Sequence, residues 1–137
     1  MNPDQLLERI ATTLKRDIGP AVEGDYPKTQ AFMAAVVLQK LGRQLGLEAV
    51  HRAADEADMH ALLDELRAEA EQAPLPAPVT AALATLAGTH DTQALCDFIS
   101  ALYAARAALG DTRFDALLGR VRRTLRAGID RRMVYAA

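Results

Sequence analysis

The sequence predicts an all-α fold, with residues 1–137 forming a single-domain antiparallel bundle of about six helices. Ala, Leu, Arg and Glu, which favour helices, dominate the chain, whereas only 4% of its residues are aromatic. Apolar residues recur at intervals of three and four, as they do on one face of a helix. Glycine and proline interrupt this pattern repeatedly, so short turns are expected between neighbouring antiparallel helices.

The predicted helices cover residues 3–18, 29–45, 47–72, 79–87, 91–109 and 112–130. Asn2 and Gln5 form the pattern of a capping box at the start of the first helix. The glycine and proline at 19–20 are expected to end that helix, and residues 21–28 to form a loop. The second helix is apolar on so many sides that we expect it to be central, with Gly46 ending it. Gly42 indicates a close contact or an early end.

The third predicted helix has a thin apolar stripe and many acidic residues, so it is expected on the surface, with a break allowed near Met59. Three prolines between residues 73 and 78 indicate a stiff connector. Gly88 and Gly110 are expected to end the fourth and fifth helices, and Asp111 to cap the last. The last apolar stripe comprises Phe114, Leu117, Leu118, Val121, Leu125 and Ile129.

Composition excludes several classes of protein. Half of the residues are hydrophobic and a quarter are charged, as in ordinary globular domains. No apolar run approaches the roughly 18 residues of a membrane span, and the first residues lack the apolar core of a signal peptide. We therefore expect a cytoplasmic protein without a membrane partner. Its one cysteine, Cys96, excludes an internal disulfide and is expected in the core.

The sequence offers little for catalysis. It lacks the glycine-rich phosphate loop, the dinucleotide fingerprint and the nucleophile elbow, so no catalytic residue and no cofactor is assigned. His51 with Asp55, and Glu56 with His60, lie four residues apart on the third helix. A metal site or an active site there would need ligands from a second helix, and none is evident. We expect a solvated acidic face without a metal, and His90 in a loop.

Charge is concentrated near the C-terminus. Residues 111–137 contain seven arginines against three aspartates, although the chain carries a net charge of −2. Three interpretations remain open for these arginines. They could pair with the acidic third helix, recognise a protein or an anionic ligand, or bind nucleic acid. The acidic pI of 5.9 and the lack of a stacking aromatic platform argue against nucleic acid.

The first third of the chain resembles a known family. The residues concerned are LKRDIGPA at 14–21, Tyr26, TQAFMAAVVL at 29–38, Leu41 and RQL at 43–45. They are similar to a family of small helical bacterial proteins of unknown function, encoded beside or fused to aminoglycoside-phosphotransferase-like kinases and often near acyl-CoA dehydrogenases. At least one such protein works with its kinase in phosphorylating hydroxyacyl-CoA intermediates. The shared residues are mostly packing residues, so the resemblance implies no catalytic position.

The resemblance implies a non-catalytic accessory subunit whose partner is such a kinase. Candidate contacts are Tyr26, in the loop from Pro20 to Pro27, and arginines of the last helix, because Tyr and Arg are favoured at interfaces. These arginines are Arg120, Arg122, Arg123, Arg126, Arg131 and Arg132. Two alternatives are a bundle that binds an anionic, acyl-CoA-like ligand and a homo-oligomeric structural protein.

Overall fold

Helices form the secondary structure of residues 1–134, the part of the chain that the computed structural model describes, and no strand occurs there. The all-α prediction is therefore confirmed. The elements are α1 (Pro3–Thr13), a π-helical turn (Leu14–Ile18), α2 (Gly19–Ala21), α3 (Asp25–Gln72), α4 (Ala77–Thr89), α5 (Thr92–Ala104), α6 (Arg106–Leu109) and α7 (Asp111–Met133).

Contacts within the chain define two compact units. One contains residues 1–52 with the described residues from 131 onward, and the other contains residues 53–130. The predicted single domain over 1–137 stays a prediction, and its residues 135–137 lie outside the described part. We call residues 3–52 of the first unit the helical hairpin, and residues 53–130 the four-helix core unit, after its larger helices.

The helical hairpin packs α1 antiparallel to the first half of α3. A Cβ atom placed on Gly42 would lie 3.2 Å from the Asp4 carbonyl oxygen and 3.5 Å from the Leu7 Cβ. Near the other end of the hairpin, a Cβ atom on Gly19 would lie 3.7 Å from the Ala31 Cβ. The close contact expected at Gly42 is confirmed.

The first helix does not end at residues 19–20. A π-helical turn precedes Pro20, in which the Gly19 N–H donates to the Leu14 carbonyl, and helix continues to Ala21. The wider turn accommodates the proline, whose ring would collide with the carbonyl four residues back in a regular α-helix. The predicted loop is correspondingly shorter: only residues 22–24 separate α2 from α3, and Gly24 has a φ of 92°.

The second and third predicted helices form one continuous helix in the structure. Helix α3 runs through Gly46 and Met59 without a break, because neither residue loses its place in the backbone hydrogen-bond pattern. The expectation that residues 29–45 form a buried, central helix is wrong. The side chains that the hairpin buries there are small, and large apolar ones such as Phe32 and Val37 are exposed. The small seam residues, rather than the large ones, determine which face of α3 packs against α1.

The four-helix core unit has a conventional apolar core. Its buried residues come from the C-terminal half of α3 and from α4, α5 and α7, together with Leu75 before α4 and Ala105 after α5. The members with the largest fully buried side chains are Phe98, Leu63, Leu66, Leu86, Leu102, Leu117, Val79 and Val121. The predicted stripe of the last helix is confirmed as far as Val121, but Leu125 and Ile129 are exposed. Leu62, Leu63 and Leu66 lie in this core, so the third predicted helix is not confined to the surface.

Helix ends in the four-helix core unit follow the expected chemistry with three corrections, the first being that the predicted helix 91–109 is interrupted at Ala105, between α5 and α6. The Asp91 carboxylate accepts from the Ala94 N–H at 2.7 Å and caps α5, and Gly110 ends α6 with a φ of 82°. Helix α4 continues past Gly88 to Thr89, and His90, in the left-handed conformation, is its C-cap. Asp111 lies inside the first turn of α7, where its hydrogen bond and charge raise the pKa of Arg106.

Gly19 provides a test of the close packing at the π-helical turn. A Cβ atom there would lie 2.9 Å from the Leu14 carbonyl oxygen, which is backbone and cannot swing away. We expect Gly19→Ala to lower the free energy of unfolding by about 1–3 kcal/mol, the usual range for overpacking. Gly119→Ala, in α7, is the matched control, because a Cβ atom there meets nothing within 4 Å.

In the control, alanine should raise stability by up to about 1 kcal/mol through its higher helix propensity. Urea unfolding followed by circular dichroism measures both variants. A Gly19→Ala variant as stable as Gly119→Ala would contradict the close packing described at the π-helical turn.

Candidate interaction surface

One flank of the helical hairpin is polar and fixes its register. Gln39 of α3 receives a hydrogen bond from the Lys15 ammonium group at 2.7 Å and donates one to the Glu8 carboxylate at 3.2 Å. The amide thus joins a cation and an anion that lie almost two turns apart on the other helix. A shift of one helix along the other would break both bonds, so this flank specifies how the helices align.

The opposite flank of the hairpin is apolar and exposed. Residues two apart on a helix lie on nearly opposite sides, so Leu6 and Ile10 point away from Glu8, and Leu41 away from Gln39. Leu45, one turn beyond Leu41, lies on the same side. We call Leu6, Ile10, Leu41 and Leu45 the apolar face. These four side chains are between 42 and 51% exposed.

This exposure extends to most large apolar side chains of the hairpin. Besides the four in the apolar face, the exposed set includes Ile18, Phe32, Met33, Val36, Val37, Leu47 and Val50. The residues that the hairpin buries are mostly alanine and glycine, among them Ala11, Ala35 and Gly42. Contiguous exposed apolar surface of this kind marks sites of protein–protein or membrane interaction. Among the described residues, no helix is both long and apolar enough to cross a membrane.

Tyr26, predicted in a loop, lies in the first turn of α3 instead, and its side chain is 75% exposed. The ring therefore does not fold back onto the chain. Tyr103 is half-exposed rather than part of the core. Its ring packs edge-on against Phe114 with centroids 5.1 Å apart, and its hydroxyl lies 3.4 Å from an Arg122 guanidinium nitrogen.

Two arginines of α7 pair with the acidic part of α3. Arg120 lies 3.4 Å from a Glu69 carboxylate oxygen and 3.9 Å from one of Glu65, and it also donates to the Glu65 carbonyl at 3.2 Å. Arg113 approaches Glu69 at 3.8 Å and donates to the carbonyls of Ala73 and Pro74, where α3 ends. For these two residues, the intramolecular interpretation is the one that the structure supports.

The other arginines of α7 differ in their surroundings. Arg122, Arg123 and Arg126 are exposed, and the Arg126 guanidinium lies 3.8 Å from an Asp130 carboxylate oxygen. Arg131 and Arg132 are half-buried in the last turn of α7, and each has polar or charge interactions of its own. The exposed arginines are the ones that remain available to a partner.

Two open grooves bear on the anionic-ligand alternative. The larger, of about 1110 Å³, lies in the first unit, where Arg9 and Arg43 line it together with Asp4 and Glu8. The smaller, of about 200 Å³, is lined by Arg120 and Arg123 but also by two carboxylates. It is smaller than the roughly 300–1,000 Å³ typical of ligand sites. Neither groove combines converging arginines with the space that an acyl-CoA needs.

Cys96 is exposed, which corrects its expected place in the core. The buried stripe of α5 comprises Ala94, Leu95, Phe98 and Leu102, and Cys96 projects from the other side of the helix. His51 is buried on α3, with 7% of its surface exposed. Neither residue belongs to a cluster of metal-ligating side chains among residues 1–134.

Such a cluster is present at Glu56, His60 and His90. The sequence indicated the first two as a pair one helical turn apart, and the structure adds His90, which lies 34 positions from Glu56. Its loop position was expected, but its proximity to α3 depends on how α4 packs. No local sequence signal reports that packing.

Comparisons of this chain with protein-family models, with curated proteins and with solved structures give no match.

The two classes of arginine on α7 predict effects of different size on stability. Arg120→Ala removes an ion pair with Glu69 and a hydrogen bond to a backbone carbonyl, and we expect it to lower the free energy of unfolding by about 1 kcal/mol. Arg123→Ala, three residues along the same helix, should change it by less than about 0.5 kcal/mol, as for most surface substitutions. Urea unfolding in low and high salt measures both, and equal effects would contradict the pairing of Arg120 with α3.

Proposed function

We propose that this chain is a non-catalytic accessory subunit that binds a partner protein through the apolar face of its helical hairpin. The exposure of Leu6, Ile10, Leu41 and Leu45 on one flank is the observation that carries the proposal. The apolar face lies opposite the flank occupied by the Lys15–Gln39–Glu8 hydrogen bonds. A partner that covers it buries leucine and isoleucine side chains without having to desolvate those charges.

The energetics favour occupation of the apolar face. Each square ångström of apolar surface removed from water contributes about 25 cal/mol, and the fully buried centre of an interface is depleted in charged residues. The hairpin's own seam, made of alanine and glycine, buries little apolar area. A partner that covers the apolar face would therefore bury the apolar side chains that the packing of α1 against α3 leaves exposed.

The proposed partner is an aminoglycoside-phosphotransferase-like kinase. The support is the resemblance of residues 14–45 to the kinase-associated family, together with the location of those residues. They include the π-helical turn, the seam residue Gly19, and Leu41 and Leu45 of the apolar face. The resembling segment thus supplies the α3 half of the proposed docking surface. In this proposal the kinase supplies nucleotide and metal and acts on hydroxyacyl-CoA in the bacterial cytoplasm.

Two further features would contribute to the same role. Tyr26 presents an exposed aromatic ring, and Arg122, Arg123 and Arg126 present exposed guanidinium groups. Tyrosine and arginine are enriched among the residues that dominate binding energy. We propose them as supporting contacts, with the apolar face as the principal one.

A charge placed on the apolar face tests the proposal. Leu41→Glu would force a carboxylate into the interface, and we expect it to weaken association with the neighbouring kinase at least about 100-fold, since truncated hot spots alone cost 2 kcal/mol or more. Co-purification and isothermal titration calorimetry measure the effect. Val50→Glu is the matched control, because Val50 is also exposed on α3 but lies about half a turn around the helix from Leu41.

The outcomes separate the candidate functions. Wild-type association at micromolar concentrations, lost in Leu41→Glu and retained in Val50→Glu, supports the accessory subunit. If the wild-type chain does not bind the kinase but forms oligomers, and Leu41→Glu dissociates those oligomers, the homo-oligomeric alternative replaces the accessory subunit. If neither partner binds at micromolar concentrations, the apolar face is not a docking surface. Replacing Arg122, Arg123 and Arg126 with Glu tests the supporting contacts separately.

A further inference from the structure

Glu56, His60 and His90 bring three potential metal ligands together from two parts of the four-helix core unit. One Glu56 carboxylate oxygen lies 2.6 Å from the His90 Nδ1 and 3.3 Å from the His60 Nε2. The ligand atoms of all three side chains lie within 4.8 Å of one another. The two imidazole rings are nearly perpendicular, at 85°, with centroids 5.0 Å apart.

We propose that these three side chains bind a zinc ion. Two imidazole nitrogens and one carboxylate oxygen are ligands that zinc accepts, with metal–ligand distances near 2.0–2.2 Å. Around a tetrahedral ion of that size, neighbouring ligand atoms stand about 3.3 Å apart. Glu56 and His60 already have this separation. His90 and Glu56 are at hydrogen-bond distance, and they need to separate by less than about 1 Å to admit the ion.

The backbone at His90 is a second, independent observation. His90 is the one non-glycine residue with a positive φ among residues 1–134, at φ 54° and ψ 20°. A non-glycine residue in the left-handed region costs about 1–2 kcal/mol, a cost that glycine would avoid. The chain nevertheless places an imidazole there. Strain of this kind persists where the surrounding structure fixes the residue, and it concentrates at functional sites.

Two helix ends hold His90 in place. Its N–H donates to the Leu86 carbonyl at 2.9 Å and closes α4, and the next residue, Asp91, caps α5. The backbone at His90 is therefore fixed from both sides before any ion arrives. His60 and Glu56 lie one turn apart on α3 and present their ligand atoms on one face. Metal binding at a site assembled in this way costs little ordering entropy.

The site is accessible from solvent. His90 is the most buried of the three side chains, at 20% exposed, and Glu56 and His60 are more than half exposed. Within residues 1–134 the cluster contains three ligands, which leaves the fourth tetrahedral position to water. Metal binding requires neutral imidazole, so zinc competes with protons for both histidines and displaces the hydrogen bond between His90 and Glu56.

The test uses the full chain after treatment with a chelator and dialysis. Isothermal titration calorimetry with zinc chloride at neutral pH should give one ion per chain with a dissociation constant in the micromolar range or tighter. Cobalt(II) added instead should give the intense visible absorption of a tetrahedral site. His60→Gln, Glu56→Gln and His90→Asn should each weaken zinc binding at least about tenfold, since even outer-shell partners of a metal contribute 10–100-fold. Asparagine is chosen at 90 because it tolerates the left-handed conformation.

Glu48→Gln is the matched control, because Glu48 lies on the same helix and pairs with Arg52 rather than with a histidine. It should bind zinc as the wild type does. Histidine ring signals in nuclear magnetic resonance spectra provide a readout on the wild-type chain. Zinc should shift those of His60 and His90 but not those of His51. Failure of the wild type to bind zinc at micromolar concentrations, or unchanged affinity in all three ligand variants, would overturn the proposal.

Discussion

The close approach of α1 and α3 through alanine and glycine determines the character of the helical hairpin. Small residues at Ala11, Ala35 and Gly42 let the two backbones come together, and the Gln39 hydrogen bonds set their register. Once the seam is filled by side chains this small, most leucines and isoleucines of both helices, Leu7 excepted, have no place in it. They are left on the outer surfaces. The exposure of the apolar face is thus a direct consequence of the seam.

The four-helix core unit shows the opposite arrangement. Phe98, Leu66 and Leu117 point inward and are fully buried, and the charged residues lie outside or pair across helices, as Arg120 does with Glu69. A core of this kind supplies its own stabilisation through apolar burial. The chain therefore combines a unit with a filled core and a hairpin that leaves much of its apolar surface uncovered. That contrast supports an interaction role for the hairpin.

The sequence predicted the helical class, most helix positions and the buried stripe of α7 as far as Val121, because periodicity and helix-ending residues are local properties. It was wrong wherever the answer depended on packing between helices. Phe32 and Val36 looked like core residues, since periodicity identifies apolar positions without identifying which ones a neighbouring helix covers. Pro20 looked like a helix end, because a π-helical turn has no recognised sequence pattern. His90 could not be connected to Glu56, since that contact depends on the path of α4.

The central claim is that the apolar face is the surface by which the chain meets its kinase. Hydrogen–deuterium exchange of the chain, with and without the kinase, tests it most directly because it maps the contact residue by residue. The account predicts slower exchange on complex formation in the peptides that contain Leu6 and Ile10 and in those that contain Leu41 and Leu45. Complex formation with unchanged exchange in both segments would contradict it.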